Sequence, residues 1–233
     1  MKGEKSSKIS RGESMKADAK NPLEALLIVD LQVDFCPGGS LEVREGDRIV
    51  PLVNGLIPRF AKVVATQDWH PGDHVSFASN HPGKEPFQTV ALGGVEQTLW
   101  PDHCLQGSRG AELHPLLDTA GIDLILRKGA NPNLDSYSAF FENDRRTPTG
   151  LEFYLKGLGI GKLYLTGLAT DVCVFYSAMD ALRLGFTVFL VEDAARGIDT
   201  PPGSLAARLR EMEAAGARVV RTGQVIRGKG GQK

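Results

Sequence analysis

The sequence predicts an α/β fold of three layers, a parallel sheet with helices on both faces. Two observations carry the prediction. Short apolar runs alternate with helical patterns from Leu23 to Arg221, the arrangement of successive βαβ units. The first run, Ala25-Leu26-Leu27-Ile28-Val29, is continuous rather than alternating, as expected of a central strand covered on both faces. At 233 residues with 42% hydrophobic content, the chain can bury one full core. It is therefore divided into an N-terminal tail (1–21), a single domain (22–227) and a C-terminal tail (228–233). The first tail, rich in Lys, Ser, Gly and Glu, lacks the apolar residues needed to fold.

The elements follow in order. The first strand ends at Asp30, and a loop runs through Phe35 to Gly39. Residues 47–60 carry a helical pattern interrupted by Pro51 and Pro58, and Ala61–Thr66 forms the second strand. From Gln67 to about His114 no strong period exists, yet the stretch holds all five histidines and both tryptophans. Unpatterned connections of that length are functional or disordered, and the aromatic content favours a folded, site-building insertion. Asp123–Arg127 is the third strand. Thr147-Pro148, an N-cap and a first-turn proline, opens a helix over Thr149–Leu158. Lys162–Leu165 is the fourth strand. A short turn, with Thr170 or Asp171 as cap, leads into an apolar helix ending at Gly185. Phe186–Val191 is the fifth strand, Thr200-Pro201 starts a helix to about Ala215, and Arg218–Arg221 closes the sheet.

Composition excludes several classes. A net charge of −1 gives no reason to expect nucleic acid or an anionic membrane as partner. No apolar run is long enough for a membrane span, and no secretory signal is visible. No G-x-G-x-x-G follows the first strand, so a dinucleotide site is unsupported. Three cysteines make no disulfide framework, which points to a reducing, cytoplasmic setting with Cys36 and Cys104 as small buried side chains.

Ligands of such sheets bind at the carboxyl ends of the strands. Asp30, Asp68, Lys128 and Cys173 all fall there. Cys173 lies in the first turn of its helix, where free N–H groups stabilise a negative sulfur. A nucleophile belongs at that position, and so does a buried structural thiol. A thiol needs a base, and Asp30 is the nearest; Lys128 could hold carboxylate and thiolate together. Asp68-Trp69-His70 places a carboxylate and an imidazole on one side of an extended segment. Both suit zinc, iron or manganese, with His74, His81 and His103 as candidates for a third ligand.

Five ordered stretches, Asp30–Gly39, Thr66–Pro71, Trp100–Cys104, Lys128-Gly129 and Gly167–Cys173, together resemble the nicotinamidases, within the isochorismatase-like cysteine hydrolases. The resemblance covers roughly residues 24–225. It implies a six-stranded parallel sheet of order 3-2-1-4-5-6, and Asp30, Lys128 and Cys173 as base, third triad member and nucleophile. It selects Asp68, His70 and His103 as ligands of one divalent metal, zinc ahead of iron or manganese, and leaves His74 outside that set. Phe35 and Trp100 resemble the walls that sandwich a pyridine ring, with Leu168 and Ala169 beside them. Leu168-Ala169 resembles the family's cis peptide, which aims the N–H of Ala169, with that of Cys173, at an oxyanion. The implied reaction is hydrolysis of nicotinamide to nicotinate and ammonia through a thioester, in NAD salvage. Pyrazinamide is expected as a further substrate, and a homo-oligomer as the assembly.

Overall fold

The computed structural model describes residues 20–92 and 94–228 of the chain. Most of the expected N-terminal tail and the last five residues lie outside that range. Six strands, β1 (Glu24–Val29), β2 (Lys62–Asp68), β5 (Leu124–Lys128), β6 (Lys162–Leu168), β7 (Thr187–Arg196) and β8 (Arg218–Val220), form one sheet of order β5-β2-β1-β6-β7-β8. All its pairings are parallel. Counting only these six strands gives the expected order 3-2-1-4-5-6. Strand order reverses beside β1, so the carboxyl ends of β1, β2 and β6 open on the crevice where such sheets bind ligands.

The continuous apolar run of β1 is explained by its two faces. Leu26 and Ile28 pack with Val53, Leu56 and Phe60 on one side. Ala25, Leu27 and Val29 pack with Leu155, Leu165 and Val174 on the other. The first face is covered by α1 (Val50–Leu56) and α5 (Thr222–Gly228), the second by α2 (Leu151–Gly157), α3 (Cys173–Arg183) and α4 (Ser204–Ala214). Both prolines of the 47–60 pattern mark boundaries. Pro51 sits in the first turn of α1, and Pro58 in the 3₁₀ turn Ile57–Arg59 that follows it. Proline lacks the N–H that an interior helical position must donate, so it is accommodated at such starts.

Several boundaries differ from the sequence reading. Thr147-Pro148 does not open α2: Pro148 bridges to Phe141 in extended pairing, Gly150 is the N-cap, and the helix starts at Leu151. The expected cap, Thr147, gives its hydroxyl to Asp144 Oδ2 at 2.8 Å, so the loop claims it, while Thr149 Oγ1 donates to the carbonyls of Ala139 and Phe140 and accepts from the Leu151 N–H. The helix after Thr200-Pro201 likewise begins three residues later, at Ser204. Strands β6 and β7 run on to Leu168 and Arg196, with a register shift between Leu165 and Gly167. The insertion is folded around a two-stranded antiparallel hairpin, β3 (Thr89–Leu92) with β4 (Val95–Thr98). No helix among the described residues is long and apolar enough to cross a membrane.

Candidate active site and metal centre

Asp30 leaves β1 in a left-handed backbone conformation (φ 46°) that turns its side chain back over the sheet edge. It is fully buried. Its N–H donates to Thr66 Oγ1 at 3.1 Å, and the same hydroxyl donates to Oδ1 at 2.6 Å. The other oxygen, Oδ2, ion-pairs with Lys128 Nζ at 2.9 Å and accepts no hydrogen bond of good geometry, leaving a lone pair free. Burial pushes the carboxyl up to about 6, with Lys128 and Thr66 pulling back and Asp68 adding to the rise.

Lys128 closes β5 and is as deeply enclosed. Its ammonium donates to Asp68 Oδ1 at 2.5 Å and to the Ser136 carbonyl at 2.8 Å, and lies 3.7 Å from Cys173 Sγ. Burial works against its charge, but Asp30 and Asp68 outweigh it and hold the ammonium protonated. Cys173 is the first residue of α3, and its sulfur lies within 4.8 Å of carboxylate oxygens of both Asp30 and Asp68. The helix terminus does not by itself make a resting thiolate. Burial pushes the thiol well above its ordinary value, and Lys128 offsets that only in part. A base is therefore needed, and Asp30, with an open lone pair, stands beside it.

The turn into α3 is built differently from the expected cap. Val172 is the N-cap residue and no side chain caps the helix. The Asp171 carboxylate accepts instead from the N–H groups of Ile198 and Asp199, at 2.9 and 2.8 Å, and from Ser204 Oγ. It ties the turn to the loop after β7, because three donors there outcompete the helix N–H groups. Within the first turn, the Val174 N–H donates to the Ala169 carbonyl at 3.1 Å. The N–H groups of Ala169 and Cys173 have no protein acceptor among the described residues. The Leu168–Ala169 peptide is cis.

On the other side of Lys128, Asp68, His70 and His103 offer one ligand atom each within 4.8 Å of one another. Their outer atoms are engaged: His70 Nδ1 with the Gly129 carbonyl at 2.8 Å, and His103 Nδ1 with that of Pro101 at 2.7 Å. That fixes the tautomers and turns both Nε2 lone pairs inward, the usual preparation of an imidazole for a metal. Burial lifts the Asp68 carboxyl, but Lys128 and His70 more than offset it and keep it ionised. Burial, reinforced by His70, pushes His103 down to about 4. Burial would lower the His70 imidazole, but the Asp68 carboxylate outweighs it and holds the ring above its ordinary value, so a metal would displace a proton there. One carboxylate and two imidazoles suit a divalent transition metal. His74 lies against the His70 ring at 4.2 Å, with Nδ1 on Ser76 Oγ and a buried Nε2 that has no partner. That orphaned nitrogen suits an electron-pair acceptor nearby. His81 is tied up by the Val75 carbonyl.

A cavity opens between these two groups. Phe35, Trp100, Tyr137 and Ile198 line it, with Ala169, Cys173, Asp68 and His103 at its base. Leu168 does not line it. Its side chain is completely buried, under Gly46, so only its backbone reaches the site. Four further residues shape the site without a signal of their own in the sequence. Thr66 and Gln32 stand inside the motifs but show no reactivity of their own. Phe77 packs against the rings of His70, His74 and His103. Tyr137 sits in a loop without periodicity, where no pattern marks it.

An isochorismatase domain model matches residues 24–224. The chain is 50% identical to the nicotinamidase of Escherichia coli over 200 residues, 84% of this chain and 93% of that protein. Among solved structures it resembles an Acinetobacter baumannii nicotinamidase/pyrazinamidase, with a TM-score of 0.87 and 46% identity over 89% of this chain and all of that one. It also resembles a pyrazinamidase of Pyrococcus horikoshii in complex with zinc, with a TM-score of 0.72 and 38% identity over 86% and 99% of the two chains.

Proposed function

The chain belongs to the isochorismatase family, among its amidohydrolases, and on that premise we propose that it is a nicotinamidase, converting nicotinamide to nicotinate and ammonia in NAD salvage. The observation that carries this reading is the contact set around Lys128, one ammonium shared by a free-lone-pair carboxylate, a thiol and a metal-ligating carboxylate.

The reaction divides into two halves. Asp30 Oδ2 takes the thiol proton of Cys173, and Lys128 balances the thiolate as it forms. Sulfur attacks the carboxamide carbon, and the oxyanion is held by the N–H groups of Ala169 and Cys173. Asp30, now protonated, returns the proton to the leaving nitrogen, so ammonia departs and a thioester remains. Water, deprotonated by Asp30, then cleaves the thioester to nicotinate and the thiol. Phe35 and Trp100 face the planar ring across the cavity. A divalent ion held by Asp68, His70 and His103, zinc by analogy with the Pyrococcus horikoshii protein, would supply a Lewis acid for the ring nitrogen. Pyrazinamide shares the aromatic carboxamide and is proposed as a second substrate. Three unpaired cysteines fit a reducing cytoplasm.

The test is ammonia release from nicotinamide, with metal analysis of the same sample. Stoichiometric nicotinate and one metal ion per chain are expected. A metal-loaded protein that leaves nicotinamide intact overturns the reading.

A further inference from the structure

A second cavity, of about 350 Å³, opens to solvent between the β3–β4 hairpin and the start of α4. It shares Trp100, Tyr137, Val172 and Ile198 with the chamber that holds Cys173. Those four are half-buried, whereas every other residue lining the inner chamber is buried. The inner chamber therefore reaches solvent through the outer one. Phe35, Asp68 and His103, at the end with the proposed metal ligands, do not border the outer chamber, but Val172, next in the chain to Cys173, does. The two chambers also differ in charge. Asp68 and Asp135 line the inner one and repel a further carboxylate. The outer one carries Arg208, whose guanidinium lies 4.3 Å from the Phe175 ring centroid and 6.0 Å from that of Tyr176. Tyr176 in turn lies 5.3 Å from Tyr137, on the shared wall. Arg208 Nη1 pairs with Glu211 at 2.8 Å, with the two side chains 37% and 50% exposed, and such a pair holds little energy. Nε and Nη2 have no acceptor among the described residues, which leaves two donors for a forked pair with a carboxylate. Asp171, the acid on the same wall, is occupied by the Ile198 and Asp199 N–H groups and by Ser204 Oγ.

We propose that the outer chamber is a leaving-group subsite, and that the enzyme also hydrolyses amides of nicotinate with amino acids, whose carboxylate Arg208 holds. The inference rests on the nicotinamidase reading and widens its substrate class. With the pyridine nitrogen at the metal end and the acyl carbon at Cys173, a substituent on the amide nitrogen has the outer chamber as its way out. Ammonia makes no use of that space. An amino acid does, with its methylene groups against Phe87 and Tyr176 and its charge on Arg208 rather than among the inner carboxylates. The chemistry is unchanged. The thiolate forms the C–S bond, the C–N bond breaks, and the proton held by Asp30 goes to the departing nitrogen, so the amino acid leaves. Water then cleaves the same thioester to nicotinate and the thiol.

The test is hydrolysis of N-nicotinoylglycine, N-nicotinoyl-β-alanine and N-nicotinoyl-γ-aminobutyrate, which carry the carboxylate progressively farther from the amide, beside the neutral N-ethylnicotinamide. At least one of the three acids is expected to be cleaved to nicotinate and free amino acid, with kcat/KM about tenfold or more above that of N-ethylnicotinamide. Arg208→Gln should lower that value about five- to twentyfold, the worth of a charge-assisted hydrogen bond at a part-exposed site. Nicotinamide turnover should match the parent's in the same variant, which also shows that it is folded. Arg208→Lys keeps the charge but not the fork and should recover part of the loss. An enzyme that hydrolyses nicotinamide but none of the three acids overturns the proposal. So does cleavage that Arg208→Gln leaves unchanged, or a loss equal for acids and neutral amides. A parent without nicotinamide turnover overturns the nicotinamidase reading itself.

Discussion

Cys173 and Asp30 share one proton, and their surroundings decide which of them holds it. Burial keeps the thiol protonated, and the carboxyl, pushed up to about 6, is ionised at neutral pH. Two outcomes follow at this scale. Cys173→Ala removes the atom that forms the thioester, so turnover should fall by about four orders of magnitude or more. The melting temperature should stay close to that of the parent, since the sulfur makes no hydrogen bond except with the catalytic groups. An ammonia assay beside a melting curve checks both. Asp30 must be ionised to accept the proton, so kcat/KM is expected to decline below about pH 6, approaching tenfold per unit. The direction matters: a base with an ordinary aspartate value would stay active to about pH 4. A profile that is flat from pH 7 to 4.5 would assign the proton to another group.

Among the elements, the junction of β1 and β6 is the least tolerant of change. Gly167 has φ 111°, and a Cβ there would strike the Val29 carbonyl and amide of the neighbouring strand. Gly167→Ala is expected to cost more than about 3 kcal/mol, from strain plus a clash with immovable backbone, as read from denaturant midpoints. The strands were legible in the sequence because two-sided burial demands continuous apolar runs, and so were the reactive residues at their ends. Helix starts were less so. Thr147-Pro148 has the composition of an N-terminus, but Thr147 spends its hydroxyl on Asp144 and the helix waits for Gly150 as its N-cap. Asp171 has the composition of a cap and holds Ile198 and Asp199 instead, a long-range choice that no local pattern records. The insertion could be read as folded from its aromatics, whereas the hairpin inside it and the place of Phe77 against three histidines depend on tertiary packing.

Across the whole molecule, the proposed metal ligands are spread over segments far apart in sequence, Asp68 at the end of β2, His70 just after it, and His103 near the end of the insertion. An ion held there binds the folded chain and not the unfolded one, so it adds to global stability by mass action. Chelation of the loaded protein should lower the melting temperature by several degrees and raise KM for nicotinamide more than it lowers kcat. A stripped protein with unchanged melting and kinetics would remove the metal from the reading. The two halves of the site are also joined by a side chain that imitates a backbone. Gln32 Oε1 accepts the Asp68 N–H at 2.8 Å, and its Nε2 donates to the carbonyls of Asp68 at 2.8 Å and Ala111 at 2.9 Å. Past the end of β1, where the chain has turned away at Asp30, this amide supplies the rung that a further strand residue would have made. The segment carrying Asp30 and the segment carrying Asp68 are thereby keyed to one another and cannot slide independently. Gln32→Glu retains the shape but sets a carboxylate against two carbonyls, so metal affinity and kcat should fall together, as when the one tooth that meshes two wheels is filed off.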